Sequence, residues 1–205
     1  MAYTFLDTLR TASVRDAQAA NGSAAVWENL EADRAFDRID ERVGEFIAAR
    51  DSFYLASVSE SGWPYVQHRG GPAGFLRVLD ETTLGFADFR GNRQYISLGN
   101  IGADDRVSLI LMDYPNKARL KILAHMSAVD LTNDPKLAEQ LSMADYKAKP
   151  ERAMILKLSS YDWNCPQHIT PRFTAAEIAP TVLALRDRVA ALEAENLELR
   201  DGARP

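Results

Sequence analysis

The sequence predicts a mostly β domain with flanking helices, its strands forming an antiparallel sheet or small barrel. Three observations point there. Between Phe53 and Asp88, β-rich runs follow one another at short intervals, separated by Ser61-Gly62, Gly70-Gly71-Pro72 and Asp80-Glu81-Thr82 turn signals. Farther on, Val107–Met112 is almost wholly apolar and Ala118–Val129 alternates. A helical apolar repeat precedes these strands, and a long charged helix follows them.

Residues 1–31 read as an arm over the body or a neighbouring subunit. Thr4–Leu9 forms a short helix, Asn21-Gly22 breaks a run of small residues, and Phe5-Leu6 and Val26-Trp27 are the anchoring points. Residues 32–173 form the sheet domain. From Ala32, Phe36, Ile39, Val43, Phe46 and Ile47 recur at helical spacing, with Asp33 as the N-cap and Arg50-Asp51 at the end. Strands are expected at Phe53–Val58, Trp63–Arg69, Gly74–Asp80 and Thr83–Asp88, then a short helix over Arg93–Ile101. Val107–Met112 is expected as a fully buried central strand. In Ala118–Val129, Leu120, Ile122 and Ala124 face one way, and Arg119 and Lys121 the other. Pro135–Tyr146 is a helix bounded by Pro150, Ala153–Ser160 closes the sheet, and Trp163–Arg172 is a loop.

Residues 174–205 form a coiled-coil-like helix. Val182, Val189 and Asn196 occupy one heptad position (a), and Ile178, Leu185, Leu192 and Leu199 the other (d). In a parallel homodimer Arg188 faces the partner's Glu193, and Glu195 faces the partner's Arg200, both of favourable sign. The alternative is a lone amphipathic helix lying on its own barrel.

Composition excludes several function classes. Hydrophobic residues make up 46% and charged residues 26%, a globular mix. The formal net charge of −5 argues against a general nucleic-acid or acidic-membrane binder, though not against a local basic pocket. One cysteine, Cys165, cannot make an internal disulfide, and three histidines without metal-ligand spacing give zinc chemistry no support. There is no long apolar run and no charged-then-apolar leader, so a cytoplasmic location is expected.

The stretch from Pro64 to Arg93 organises the domain. Arg69 and Arg93 each stand beside glycine, in Arg69-Gly70-Gly71-Pro72 and Arg90-Gly91-Asn92-Arg93. A helix opening at Gly91-Asn92 would present unpaired N–H groups, and guanidinium groups recognise phosphate oxygens two at a time. Together these make an anion site, most simply for phosphate. The alternative is two surface hairpins with solvated arginines.

In this order the residues resemble the flavin-binding split-barrel family of pyridoxamine 5′-phosphate oxidase-like proteins, over roughly residues 36–172. The matching features are an arginine-bearing strand, a hairpin, the strand end Phe86-Ala87-Asp88-Phe89, a helix start at Gly91-Asn92-Arg93 and a basic strand at Arg119-Leu120-Lys121. The resemblance implies an antiparallel Greek-key split β-barrel, FMN as cofactor, and a homodimer with the flavin site at the subunit interface. It implies that Arg69 and Arg93 hold the phosphate, and that the backbone of Phe86, Ala87 and Asp88 runs beside the ring. Asn92 lies at the phosphate helix, and either Gln67 or His68 points to the ligand while the other enters the wall. Arg119 and Lys121 would place positive charge near the flavin's pyrimidine edge. Trp163 and Gln167, with His168, fall where the family reaches across to the other subunit's flavin.

The implied activity is electron transfer from a reduced nicotinamide to a small acceptor. A flavin module or sensor without turnover, and a non-catalytic assembly unit, are the alternatives. Two departures bear on the substrate. The oxidases proper have Ser-Arg-Lys where this chain has Gly91-Asn92-Arg93, and an arginine- and histidine-containing segment where it has CPQHITPR. Flavin binding is therefore better supported than oxidation of pyridoxamine phosphate.

Overall fold

A computed structural model describes residues 4–28, 35–143, 146–163 and 165–202. Seven strands form one antiparallel sheet: β1 (Ser52–Val58), β2 (Pro64–Gly70), β3 (Arg77–Asp80), β4 (Thr83–Phe89), β5 (Arg106–Asp113), β6 (Ala118–Val129) and β7 (Pro150–Trp163). Their spatial order is β2-β1-β5-β6-β7-β4-β3. Strands β5, β6 and β7 are a meander. The chain enters it from β4 through a long connection that carries α5 (Ile96–Ala103), yet β4 lies beside β7. These four strands make a Greek key. The whole is the expected antiparallel split barrel with flanking helices.

Side-chain alternation explains the core. Val107, Leu109 and Leu111 of β5 lie opposite Ala124, Ile122 and Leu120 of β6, all buried on one face. Phe53 and Leu55 of β1, Leu84 and Phe86 of β4, and Met154 and Leu156 of β7 join them. Fully burying one such large side chain stabilises the fold by about 1.5–3 kcal/mol. The opposite face of β5 is only half-buried, so the expected fully buried strand is an alternating one.

Helix α4 (Glu41–Ala48) closes the core with Val43 and Ile47. It is shorter than its apolar spacing predicts. Phe36 has φ +46, and its carbonyl accepts from the Tyr161 N–H, so Phe36 and Ile39 reach the core from a non-helical lead-in. The N-cap is Asp40, whose Oδ1 accepts from the Val43 N–H at 2.8 Å. Asp33, the expected cap, lies outside the described residues.

Other boundaries also move. The expected strand from Gly74 begins at Arg77, because Gly74 turns the chain at φ +78 and donates its N–H to the Arg50 carbonyl. Helix α6 (Pro135–Gln140) stops short of Tyr146. Strand β7 is longer than expected at both ends, starting at Pro150, where a strand tolerates proline, and including Trp163.

The N-terminal arm is helical: α1 (Thr4–Leu9), α2 (Ala12–Ala20) and α3 (Ala24–Glu28), with Gly22 at φ +69 between the last two. Phe5 is buried as α1 packs on β7, whereas Val26 and Trp27 are exposed in this chain. At the other end α7 (Ala175–Gly202) runs for 28 residues, exposed from Ala175 to Arg200. Among the described residues no helix is long and apolar enough to cross a membrane.

Candidate functional site

A cavity of about 280 Å³ opens between β2, the end of β4 and the start of α5. The period-two geometry of β2 turns Tyr65, Gln67 and Arg69 toward the barrel and leaves Val66 and His68 exposed. Gln67 is held in place, its Oε1 accepting from the buried Ser97 Oγ at 3.0 Å. His68 stands at the rim, edge-on to Tyr54 with ring centroids 5.6 Å apart.

Arg69 crosses the cavity to Asp88. Its Nη1 donates to Asp88 Oδ1 at 2.7 Å, and its guanidinium lies 5.8 Å from the Phe86 ring centroid. Among the described residues the buried Arg69 Nε has no hydrogen-bond partner. The β4–β7 register sets Arg152 opposite Asp88, 3.8 Å from its second oxygen and 5.0 Å from the Tyr95 ring centroid.

The loop before α5 departs from the expected helix start. Arg93 and Tyr95 have φ of +61 and +52, and Asn92 Oδ1 accepts the Gln94 N–H at 3.2 Å. That local turn competes with helix and delays its start to Ile96. The free N–H groups at the helix start therefore belong to Ile96, Ser97 and Leu98, all lining the cavity, and Tyr95 offers no side-chain cap. Arg93 Nε donates to the Tyr95 hydroxyl at 3.2 Å, which in turn donates to Glu151 at 3.2 Å. The Tyr95 hydrogen bond, aided by the charge of Glu151, pushes the Arg93 pKa up from an already high value, so its charge is fixed.

Around this mouth four guanidinium groups, Arg69, Arg90, Arg93 and Arg152, stand against two carboxylates, Asp88 and Glu151. Two positive charges remain in excess. This local surplus, in a chain of net negative charge, sits where the start of α5 also lines the cavity.

Of the predicted site residues, Gln67, His68, Arg69, Phe86, Ala87, Asp88, Asn92 and Arg93 all line this cavity. Arg119, Lys121, Trp163 and Gln167 do not line it within the single chain. Lys121 Nζ is 2.8 Å from Asp162 and 4.7 Å from the Phe5 ring centroid. Arg119 pairs across β5 with Met112. Trp163 ends β7 and packs edge-on to Phe46 at 4.8 Å, and Gln167 is exposed in the loop beyond.

Sequence reading missed Tyr65, Phe75, Tyr95, Ser97, Glu151 and Arg152. Tyr65 was available from the alternation that placed Gln67 and Arg69. Glu151 and Arg152 carried no local signal, because only the pairing of β4 with β7 brings them to the site. Among the described residues no group of His, Cys, Asp and Glu is placed to hold a metal ion.

Residues 39–162 match the sequence model of the family described as pyridoxamine 5′-phosphate oxidase. The chain belongs to that family. Its match spans α4 and the strands up to Asp162 of β7, and leaves the N-terminal arm and α7 outside. Among solved structures the chain is similar to HupZ of Group A Streptococcus, at 13% identity over 66% of this chain and 99% of that one, with a TM-score of 0.47. It is also similar to an FMN-binding protein from Syntrophomonas wolfei, at 13% identity over 72% and 97%, with a TM-score of 0.47. A third is General Stress Protein 26 from Bacillus anthracis, at 14% identity over 65% and 95%, with a TM-score of 0.42. These likenesses are loose, and the assignment rests on the sequence match. No curated protein matches the chain. Membership of the family supports a flavin-binding, oxidoreductase-like fold, and members of the family are usually dimers.

Proposed function

We propose that the protein binds FMN in the Arg69–Arg93 cavity and passes electrons from a reduced nicotinamide to a small acceptor. The observation that carries this is the convergence on one cavity of the Arg69 and Arg93 side chains and the start of α5, which has no side-chain cap. Such a donor set fits a phosphate ester, which takes charge-assisted bonds from guanidinium and partial positive charge from a helix start. Arg69, Arg93 and the Ile96–Leu98 backbone would hold the phosphate. Gln67 and Ser97 offer neutral donors and acceptors to a polyol or ring edge, and Phe75 and Phe86 give the cavity its apolar wall.

When bound, FMN supplies the hydride and electron chemistry, so the chain needs no nucleophile of its own. The protein's part is to orient the group, fix charge around it and keep water from it. One compact anion site favours a mononucleotide over a dinucleotide. The departures at Gly91-Asn92-Arg93 and CPQHITPR make pyridoxamine 5′-phosphate an unsuitable substrate, and robust turnover of that compound by the FMN-loaded protein would overturn this part of the reading.

The Arg69–Asp88 pair favours a second reading, a non-catalytic barrel in which Arg69 is an internal strut. Absorbance of the pure protein between the near ultraviolet and the blue separates the two, since a strut binds no flavin. Anaerobic bleaching by NADH or NADPH then separates an enzyme from a flavin module without turnover. Replacing Arg93 by alanine should weaken FMN at least about tenfold, as expected for loss of a charge-assisted contact. Unchanged affinity would put the phosphate elsewhere.

A further inference from the structure

Helix α7 carries an apolar stripe that its own chain leaves in water. Its 28 residues extend about 42 Å at 1.5 Å per residue. Val182, Leu185, Val189 and Leu192 remain between 42% and 60% exposed. A helix lying on its own barrel would bury that stripe, and this one does not. The stripe keeps a strict a and d spacing, and Pro180, the one helix-breaking residue within it, falls at the outward f position.

We propose that α7 pairs in parallel with α7 of a second copy of this chain, as a short two-stranded coiled coil. Charge selects the partner. In a parallel pair each Arg188 meets the partner's Glu193 and each Glu195 meets the partner's Arg200, so the helix complements itself. Side-chain shape selects the number of strands, because valine at a with leucine at d favours two.

Charge alone does not select direction. An antiparallel pair in the register that sets a against d would also place Arg188 beside Glu195 and Arg186 beside Glu193. Asn196 decides between them. In the parallel pair the two Asn196 amides meet and bond to each other. In the antiparallel pair each is set against Leu185, and its donors and acceptor lose water without gaining a partner. The pairing does not depend on flavin binding.

The test uses the full chain with Cys165, an exposed free thiol, replaced by serine. Val189→Cys places a thiol on the seam, and Ala194→Cys places one at the outward f position. Under mild oxidation V189C should give a cross-linked dimer on a non-reducing gel and A194C should not, with light scattering showing the mass of two chains. A monomer in solution, a mass of three or four chains, or a dimer that V189C does not cross-link would each overturn the proposal. So would V189C chains that cross-link only when mixed with Leu192→Cys chains, the antiparallel result. Introducing Asn196→Leu into the V189C chain should preserve association but lower the cross-linked yield, as the second direction becomes permitted; an unchanged yield would remove the argument for direction.

Discussion

At Asp88 one carboxylate restrains two arginines, and the cavity's charge depends on it. Arg69 is held at 2.7 Å and Arg152 at 3.8 Å, and both would be freer without it. Asp88→Asn should therefore tighten FMN while costing the empty protein about 1.5–3 kcal/mol of stability, the worth of a hydrogen bond to a charged group. Flavin titration with a denaturant melt checks both. Weaker binding would mean that Asp88 itself accepts from the ligand. Asp88 was visible in the sequence as the polar residue in an aromatic strand end, but its partner was not. Arg69 lies 19 residues away on a strand that is not a sheet neighbour of β4. Tyr95 was hidden for another reason: its left-handed backbone replaces what reads as the first turn of a helix.

Between elements, the C-terminal end of α4 is tied to β5 through Arg50. Its Nη2 lies 3.0 Å from Asp113, its Nη1 donates to the Met112 carbonyl at 3.0 Å, and its guanidinium lies 4.8 Å from the Phe46 ring centroid. Burial alone would raise the Asp113 pKa, but the Asn116 hydrogen bonds and Arg50 outweigh it and leave it lowered from 3.8. A carboxylate depressed in the folded state adds stability above its unfolded pKa, and that stability is lost as pH falls through the folded value. Arg50→Ala should thus cost about 2–3 kcal/mol at neutral pH, less than a fully isolated buried charge because Asn116 still serves Asp113. The difference from the parent should shrink below pH 3.8 in chemical melts. A constant difference would locate the effect in packing on Phe46. Asp40→Ala should cost about 1 kcal/mol through loss of the α4 cap. The apolar period of this segment was legible and its cap was not, because Phe36 and Ile39 keep helical spacing in sequence while the backbone does not.

Across the whole molecule, strand identities followed from alternation and turn residues, whereas strand order did not. The placing of β1 beside β5 and of β4 beside β7 depends on pairings that no local pattern records. Serines at both Leu185 and Leu192, exposed in the single chain, should weaken association of full-length copies without changing flavin absorbance per chain. Light scattering over a dilution series reads the first and a spectrum the second. Strand order also has a kinetic meaning. Thr83 pairs with Lys157 and Asp88 with Arg152, contacts that close long loops and therefore form slowly. Neither hairpin alone builds the mouth of the cavity, since Arg69, Asp88 and Arg152 come from β2, β4 and β7. On the ribosome, a chain that has not yet released β7 would own most of its sheet and the proposed phosphate ligands, but not Glu151 and Arg152, which complete the mouth. Completion of that mouth would then record that the fold is finished.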